Sequence, residues 1–196
     1  MGNSRWMDGK PARLLQSEAE KFIAERSVSG GNFLKQRVKN QPKWKSAAAL
    51  AVCIAVTFCA PALGAWTLPG EWYASLRKPS WNPPSWLFGP VWTVLYIAMA
   101  TAAWIVWRRG GWAVQRRALV LYAVQLALNA VWTPIFFGLK MPALAFAEII
   151  LLLAAVIATA RTFAHVVPLA GLLMAPYVAW VAFASWLNFT LWRLNS

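Results

Sequence analysis

Aromatic and amide side chains recur at helical spacing in three apolar stretches of the sequence. Phe88, Trp92 and Tyr96 lie four residues apart, so a helix would place them on one face. Two further stretches repeat this arrangement at spacings of three to four residues: Tyr122, Gln125, Asn129, Trp132 and Phe136, and then Tyr177, Trp180, Ala184 and Asn188. Aromatic faces with a few hydrogen-bonding groups are typical of a pocket for a large, flat, apolar ligand.

The same spacing also has a purely structural interpretation. Aromatic side chains fill contacts between helices, and amides can bridge neighbouring helices within a membrane. Glu148, the one acid deep in the apolar body, is open to a structural role or to a role in binding protons or ligand. We expect no metal centre, because the chain has one His and no Cys-x-x-C or Cys/His metal spacing. Periodicity alone leaves pocket and helix contact as alternatives.

A loop rich in proline and tryptophan, residues 67–89, precedes the first of these stripes. It holds Pro69, Pro79, Pro83 and Pro84 among several aromatic residues. Prolines reduce the conformational entropy of the unfolded loop, and aromatic side chains give the folded loop surface to pack. An aromatic belt at a membrane interface is the alternative interpretation. A belt does not require this proline spacing, so we expect a structured lid loop.

The elements that would position these residues are five apolar helices. The chain of 196 residues is 60% hydrophobic and 13% charged, whereas soluble domains are about 25% charged. Apolar stretches at about 47–66, 90–107, 114–137, 142–160 and 166–192 are each long enough to cross a hydrocarbon core of about 30 Å. They lack the alternation of barrel strands. The predicted fold is all-α, an integral membrane bundle of five transmembrane helices spanning residues 46–196.

The formal net charge of +13 is unevenly distributed along the chain. Residues 1–45 form a basic tail that we interpret as flexible or as a partly amphipathic helix. No nucleic-acid-binding motif accompanies it, so membrane lipid is the expected partner. Arg108, Arg109, Arg116 and Arg117 would lie on the same side as the tail, which predicts a cytoplasmic N-terminus and an external lid loop. Without an organelle-type targeting segment, a bacterial inner membrane is the default localisation.

The loop and the helix that follows it carry a specific resemblance. The run Lys78-Pro79-Ser80-Trp81-Asn82-Pro83-Pro84, flanked by Trp72-Tyr73 and Trp92-Thr93, resembles the signature of the TspO/MBR family of tryptophan-rich sensory and translocator proteins. Further matches are Gln125, Asn129, Trp132-Thr133-Pro134, Phe136-Phe137-Gly138, Pro176-Tyr177, Trp180, Leu187-Asn188 and Trp192-Arg193-Leu194-Asn195. The resemblance covers about residues 46–196 and all five apolar stretches.

This resemblance implies a membrane protein, usually a homodimer, that binds porphyrins and haem, and also sterols and benzodiazepine-type ligands. It implies no obligatory cofactor, since porphyrin or haem would be a ligand. The positions that match the family's ligand-binding residues are Trp72, Phe88, Trp92, Tyr96, Asn129, Trp132, Trp180, Ala184 and Leu187.

Three functions follow from the resemblance as expectations. The first is a sensory or regulatory role in tetrapyrrole metabolism or stress. The second is light-dependent degradation of protoporphyrin IX, in which Trp92 and Trp180 would be the catalytic residues; the third is transport of porphyrin or lipid. The family's sterol pattern of Leu, Tyr and Arg is matched only by Leu187, Phe189 and Arg193, which lack the central hydroxyl. We therefore expect weak or unselective sterol binding.

Overall fold

Apolar helices account for most of the chain in a computed structural model that describes residues 17–18, 43–64, 67 and 70–196. The predicted basic tail lies outside the described residues, apart from residues 17–18 and 43–45. The helices are α1 (Lys43–Gly64), α2 (Glu71–Ser75), α3 (Ser85–Trp107), α4 (Gly111–Thr133), α5 (Pro142–Val166) and α6 (Pro168–Asn195). A single π-helical turn, Pro134–Gly138, continues α4.

Five of these helices are long and apolar enough to cross a membrane. The candidate spans are Trp44–Ala62, Ser85–Trp107, Gly111–Gly138, Pro142–Val166 and Pro168–Asn195. Large apolar side chains remain exposed on all five, among them Val52, Val94, Leu151 and Leu172. Lipid is the solvent in which such a surface is stable. The described residues contain no strand, so the predicted all-α bundle of five membrane helices is confirmed.

The observed helices extend beyond some of the predicted ends, because the apolar stretches cover only part of each helix. Helix α3 begins at Ser85 rather than Pro90, with Pro84 as its N-cap, so Pro90 lies inside the helix. Helix α5 continues past residue 160 to Val166, although Arg161 and His165 end the apolar run. An apolar stretch marks the membrane core, whereas a helix continues into polar surroundings as long as its backbone bonds are made. Helix α6 likewise extends to Asn195 rather than 192.

Close helix contacts in the bundle depend on small residues and specific polar links. A Cβ added at Gly171 would overlap the Cβ of Ala164, so α5 and α6 meet closely beside their short connection. Across the bundle, the Thr57 hydroxyl lies 2.6 Å from the Tyr122 hydroxyl and links α1 to α4. The indole of Trp104 donates to the Ser46 carbonyl at 2.9 Å, which holds the start of α1 against α3. These contacts hold together the helices that surround the interior of the bundle.

Candidate ligand-binding site

A cavity of about 780 Å³ lies between the lid loop and the interior faces of all five spanning helices. Its volume falls within the range of about 300–1,000 Å³ that is typical of small-molecule sites. The residues around it are Pro61, Gly70, Tyr73, Ala74, Lys78, Ser85, Phe88, Trp92, Tyr96, Asn129, Trp132, Thr133, Phe136, Phe137, Ile149, Leu152, Trp180, Val181, Ala184, Leu187, Asn188 and Leu191. Most are apolar or aromatic, which suits a ligand with a large apolar body.

Successive turns of α3 place one stripe of aromatic rings along the cavity. Phe88, Trp92 and Tyr96 descend from the lid loop into the bundle over about 12 Å, at 1.5 Å per residue. The rings of Trp92 and Tyr96 stack with centroids 5.3 Å apart. Trp180 of α6 meets Phe88 at 5.9 Å and Trp92 at 6.5 Å, both edge to face. The two helices therefore present a continuous aromatic wall.

The deep end of the cavity carries neutral polar groups that are bonded to one another. The Tyr96 hydroxyl donates to Asn129 Oδ1 at 2.7 Å, and Asn129 Nδ2 donates to the Tyr177 hydroxyl at 3.2 Å. Nearer the loop, Trp132 Nε1 donates to Asn188 Oδ1 at 3.1 Å. These amides connect helices, and they also border the cavity. The same residues therefore border a pocket and form contacts between helices, which are the two interpretations that periodicity left open.

From residue 70 onward, the lid loop is folded over the cavity. Its short helix α2 supplies Tyr73 and Ala74 to the cavity, and the rings of Tyr73 and Phe137 lie 5.4 Å apart. The Asn195 side chain fastens the loop to the end of α6 through the backbone of Arg77. Asn195 Oδ1 accepts from Arg77 N at 2.9 Å, and Asn195 Nδ2 donates to Arg77 O at 3.0 Å. We refer to this pair of hydrogen bonds as the Asn195 clamp.

The structure brings together eight of the nine residues assigned to ligand binding by resemblance. Those around the cavity are Phe88, Trp92, Tyr96, Asn129, Trp132, Trp180, Ala184 and Leu187. The ninth, Trp72, packs its ring 5.7 Å from Phe136 in a neighbouring apolar cluster. Its neighbour Tyr73 borders the cavity instead. The phase of a five-residue helix inside a proline-rich loop decides which of the two adjacent aromatic residues faces inward, and no periodicity signals that phase.

The three residues of the sterol-like pattern do not share one environment. Leu187 is buried and borders the cavity, whereas the ring of Phe189 packs 5.3 Å from Phe146. Arg193 is exposed. In a helix, positions separated by two residues point in different directions, while those separated by four share a face. Leu187 is therefore on a different face of α6 from Phe189 and Arg193.

Glu148 is buried but does not border the cavity. It is 7% exposed, and neither carboxyl oxygen has a hydrogen-bond partner among the described residues. Gln125 is fully buried with both amide atoms likewise unpartnered in the described part of the chain. The indole Nε1 of Trp180 is also buried and has no hydrogen-bond partner among the described residues. Among residues 17–18, 43–64, 67 and 70–196, no three His, Cys, Asp or Glu side chains group as metal ligands.

Comparison with known proteins matches the membrane body of the chain. The sequence model of the TspO/MBR family matches residues 48–193. Protein CrtK of Rhodobacter capsulatus is 47% identical over 149 residues, which cover 74% of this chain and 91% of that protein. The human translocator protein is 43% identical over 145 residues, covering 69% and 86% respectively. The tryptophan-rich sensory protein of Cereibacter sphaeroides is 45% identical over 132 residues, covering 67% and 82%.

Proposed function

Because this chain belongs to the TspO/MBR family of integral membrane proteins, we propose that it binds porphyrins or haem in the cavity beneath the lid loop. Binding would serve a sensory or regulatory role in tetrapyrrole metabolism or stress. The observation that carries the proposal is the aromatic wall of Phe88, Trp92 and Trp180 beside a cavity of about 780 Å³. Flat, apolar macrocycles bury large areas against such rings.

Intrinsic fluorescence tests this function directly. Protoporphyrin IX is titrated into the purified protein in detergent, and quenching of tryptophan emission is followed. We expect quenching to saturate, and we expect the porphyrin affinity obtained from it to fall when Trp180→Phe makes the aromatic wall smaller. Trp186→Phe is the matched control, because Trp186 lies on the same helix but is 61% exposed and outside the cavity. Unsaturable quenching, or equal weakening by both substitutions, would contradict binding in this cavity.

Light-dependent degradation of the bound porphyrin is the second candidate. The contact between the rings of Trp92 and Trp180, with centroids 6.5 Å apart, supports it, because a bound macrocycle would adjoin two oxidisable indoles. The test illuminates the complex and follows the Soret absorption. Loss faster than that of free porphyrin, abolished by Trp92→Phe or Trp180→Phe, supports degradation. Loss at the rate of free porphyrin supports a sensor.

We further propose an N-terminus facing the cytoplasm of a bacterial inner membrane, and a homodimer. Exposed arginines cluster where α3 ends and α4 begins, at Arg108, Arg109, Arg116 and Arg117, and basic residues favour the cytoplasmic side. A cysteine introduced at exposed Ser80 in the lid loop, with Cys59→Ser as background, should react with a membrane-impermeant maleimide in intact cells. Labelling only after lysis would reverse the orientation.

A further inference from the structure

Lys78 is the only charged side chain around the cavity among the residues that the structure describes. It lies in the lid loop and is half-buried. Its ammonium donates to the carbonyls of Ala74 at 3.0 Å and Leu76 at 3.2 Å. It also lies 4.8 Å from the centroid of the Tyr73 ring. A cation is thus fixed at the loop end of a space that is otherwise neutral.

The surroundings of Lys78 hold the cation without neutralising it. The carbonyls belong to α2 and to the residue that follows it, where the helix dipole favours positive charge. Burial raises the pKa of Tyr73, so this phenol stays neutral and offers a ring face rather than a counter-charge. Within the described part of the chain, no carboxylate contacts the ammonium. An ammonium has three N–H donors, so one is left for a ligand.

The opposite end of the cavity offers no comparable charge. The Tyr96 hydroxyl donates to Asn129 there, Asn129 donates to the Tyr177 hydroxyl, and all three are neutral groups. A ligand with an apolar body and an acidic edge would therefore be favoured in one orientation. The body would lie against Trp92 and Trp180, and the acidic edge would remain near the loop, where the membrane surface is polar.

We propose that Lys78 is an anion-binding subsite that pairs with a carboxylate of the ligand and selects acidic amphipathic molecules over neutral molecules of similar shape. This inference rests on the proposed porphyrin-binding function and deepens it, because porphyrin side-chain carboxylates are such an edge. It assigns a specificity-determining role to one residue of the lid loop. Charge-assisted hydrogen bonds are about twice as strong as neutral ones.

The test compares protoporphyrin IX with its dimethyl ester, which has the same macrocycle and no carboxylate. Tryptophan quenching is measured in a zwitterionic detergent. We expect the wild-type protein to bind the diacid about tenfold more tightly than the diester, the effect of one charge-assisted contact. Lys78→Gln keeps N–H donors for the carbonyls but removes the charge, so it should abolish this preference while diester affinity stays constant. Lys78→Arg should retain it.

Lys140→Gln is the matched control, because Lys140 is exposed and does not border the cavity; it should leave both affinities unchanged. If Lys78→Gln weakens both porphyrins equally, or neither, the anion subsite is wrong while porphyrin binding stands. If the wild-type protein binds neither porphyrin, the proposed function fails and this inference fails with it. Constant diester affinity in Lys78→Gln shows that the cavity still folds.

Discussion

Breaking the Asn195 clamp should release bound porphyrin faster. Asn195→Ala removes both hydrogen bonds to the Arg77 backbone, at 2.9 and 3.0 Å, which join the lid loop to α6. A hydrogen bond contributes about 0.5–1.5 kcal/mol net. Because Asn195 is exposed, we take the lower bound for each, giving about 1 kcal/mol for the pair. That free energy raises the population of an open loop about fivefold.

The assay is stopped-flow fluorescence, in which protoporphyrin IX is displaced from the protein by excess apomyoglobin. We expect the dissociation and association rates of Asn195→Ala both to rise about fivefold, because the same open loop releases and admits the ligand, while the affinity changes little because the aromatic wall is untouched. Thr190→Ala is the matched control: it removes a hydrogen bond to Trp186 O at 2.9 Å within the same helix and leaves the loop alone. An unchanged dissociation rate, or an equal increase in Thr190→Ala, would refute the clamp.

Three further predictions concern the interior. Asn129→Ala leaves the buried Tyr96 hydroxyl without its acceptor, so thermal unfolding in detergent should show a loss of about 1–3 kcal/mol; an unchanged melting temperature would contradict this. Glu148→Gln should change protoporphyrin affinity less than about twofold, a small effect, because Glu148 does not border the cavity; a larger change would give it a ligand role. Gly171→Ala should destabilise the folded protein by about 1–3 kcal/mol, because the added methyl group overlaps Ala164. Gly89→Ala is the control: nothing lies within 4 Å of its added Cβ, so it should be neutral or stabilise the protein by up to about 1 kcal/mol. Equal melting temperatures for the two variants would contradict this prediction.

The sequence predicted the spanning helices because hydropathy depends on local composition. It also placed Trp92 and Trp180 on inward faces, since a helix converts spacing into direction. The prediction from sequence failed where a helix start or the direction of a side chain depends on a turn or on packing against a distant residue. Pro90 resembled a first-turn residue, yet the helix starts at Ser85 because Pro84 already supplies the extended residue before it. A proline-rich run contains several candidate start sites, and packing chooses among them.

The loop was the least predictable part of the site. Its prolines indicated order, but the choice of Tyr73 over Trp72 as the inward residue depends on α2, a helix of five residues. The position of Lys78 depends in turn on the carbonyls of Ala74 and Leu76. The resemblance to the TspO/MBR family supplied the remaining site residues, and this family membership is confirmed. Residue roles inside the cavity stay predictions.

The Asn195 clamp also sets the order in which the site can be completed during synthesis. Its two partners are 118 residues apart in the chain. At about 5–20 residues per second, the loop waits roughly 6–24 s for its anchor after Arg77 is made. Trp180 and Leu187 of the cavity lie in α6, the helix that also carries Asn195. A ligand that requires this cavity therefore recognises the chain only after α6 has been made, and by mass action it would protect newly made chains from unfolding and degradation.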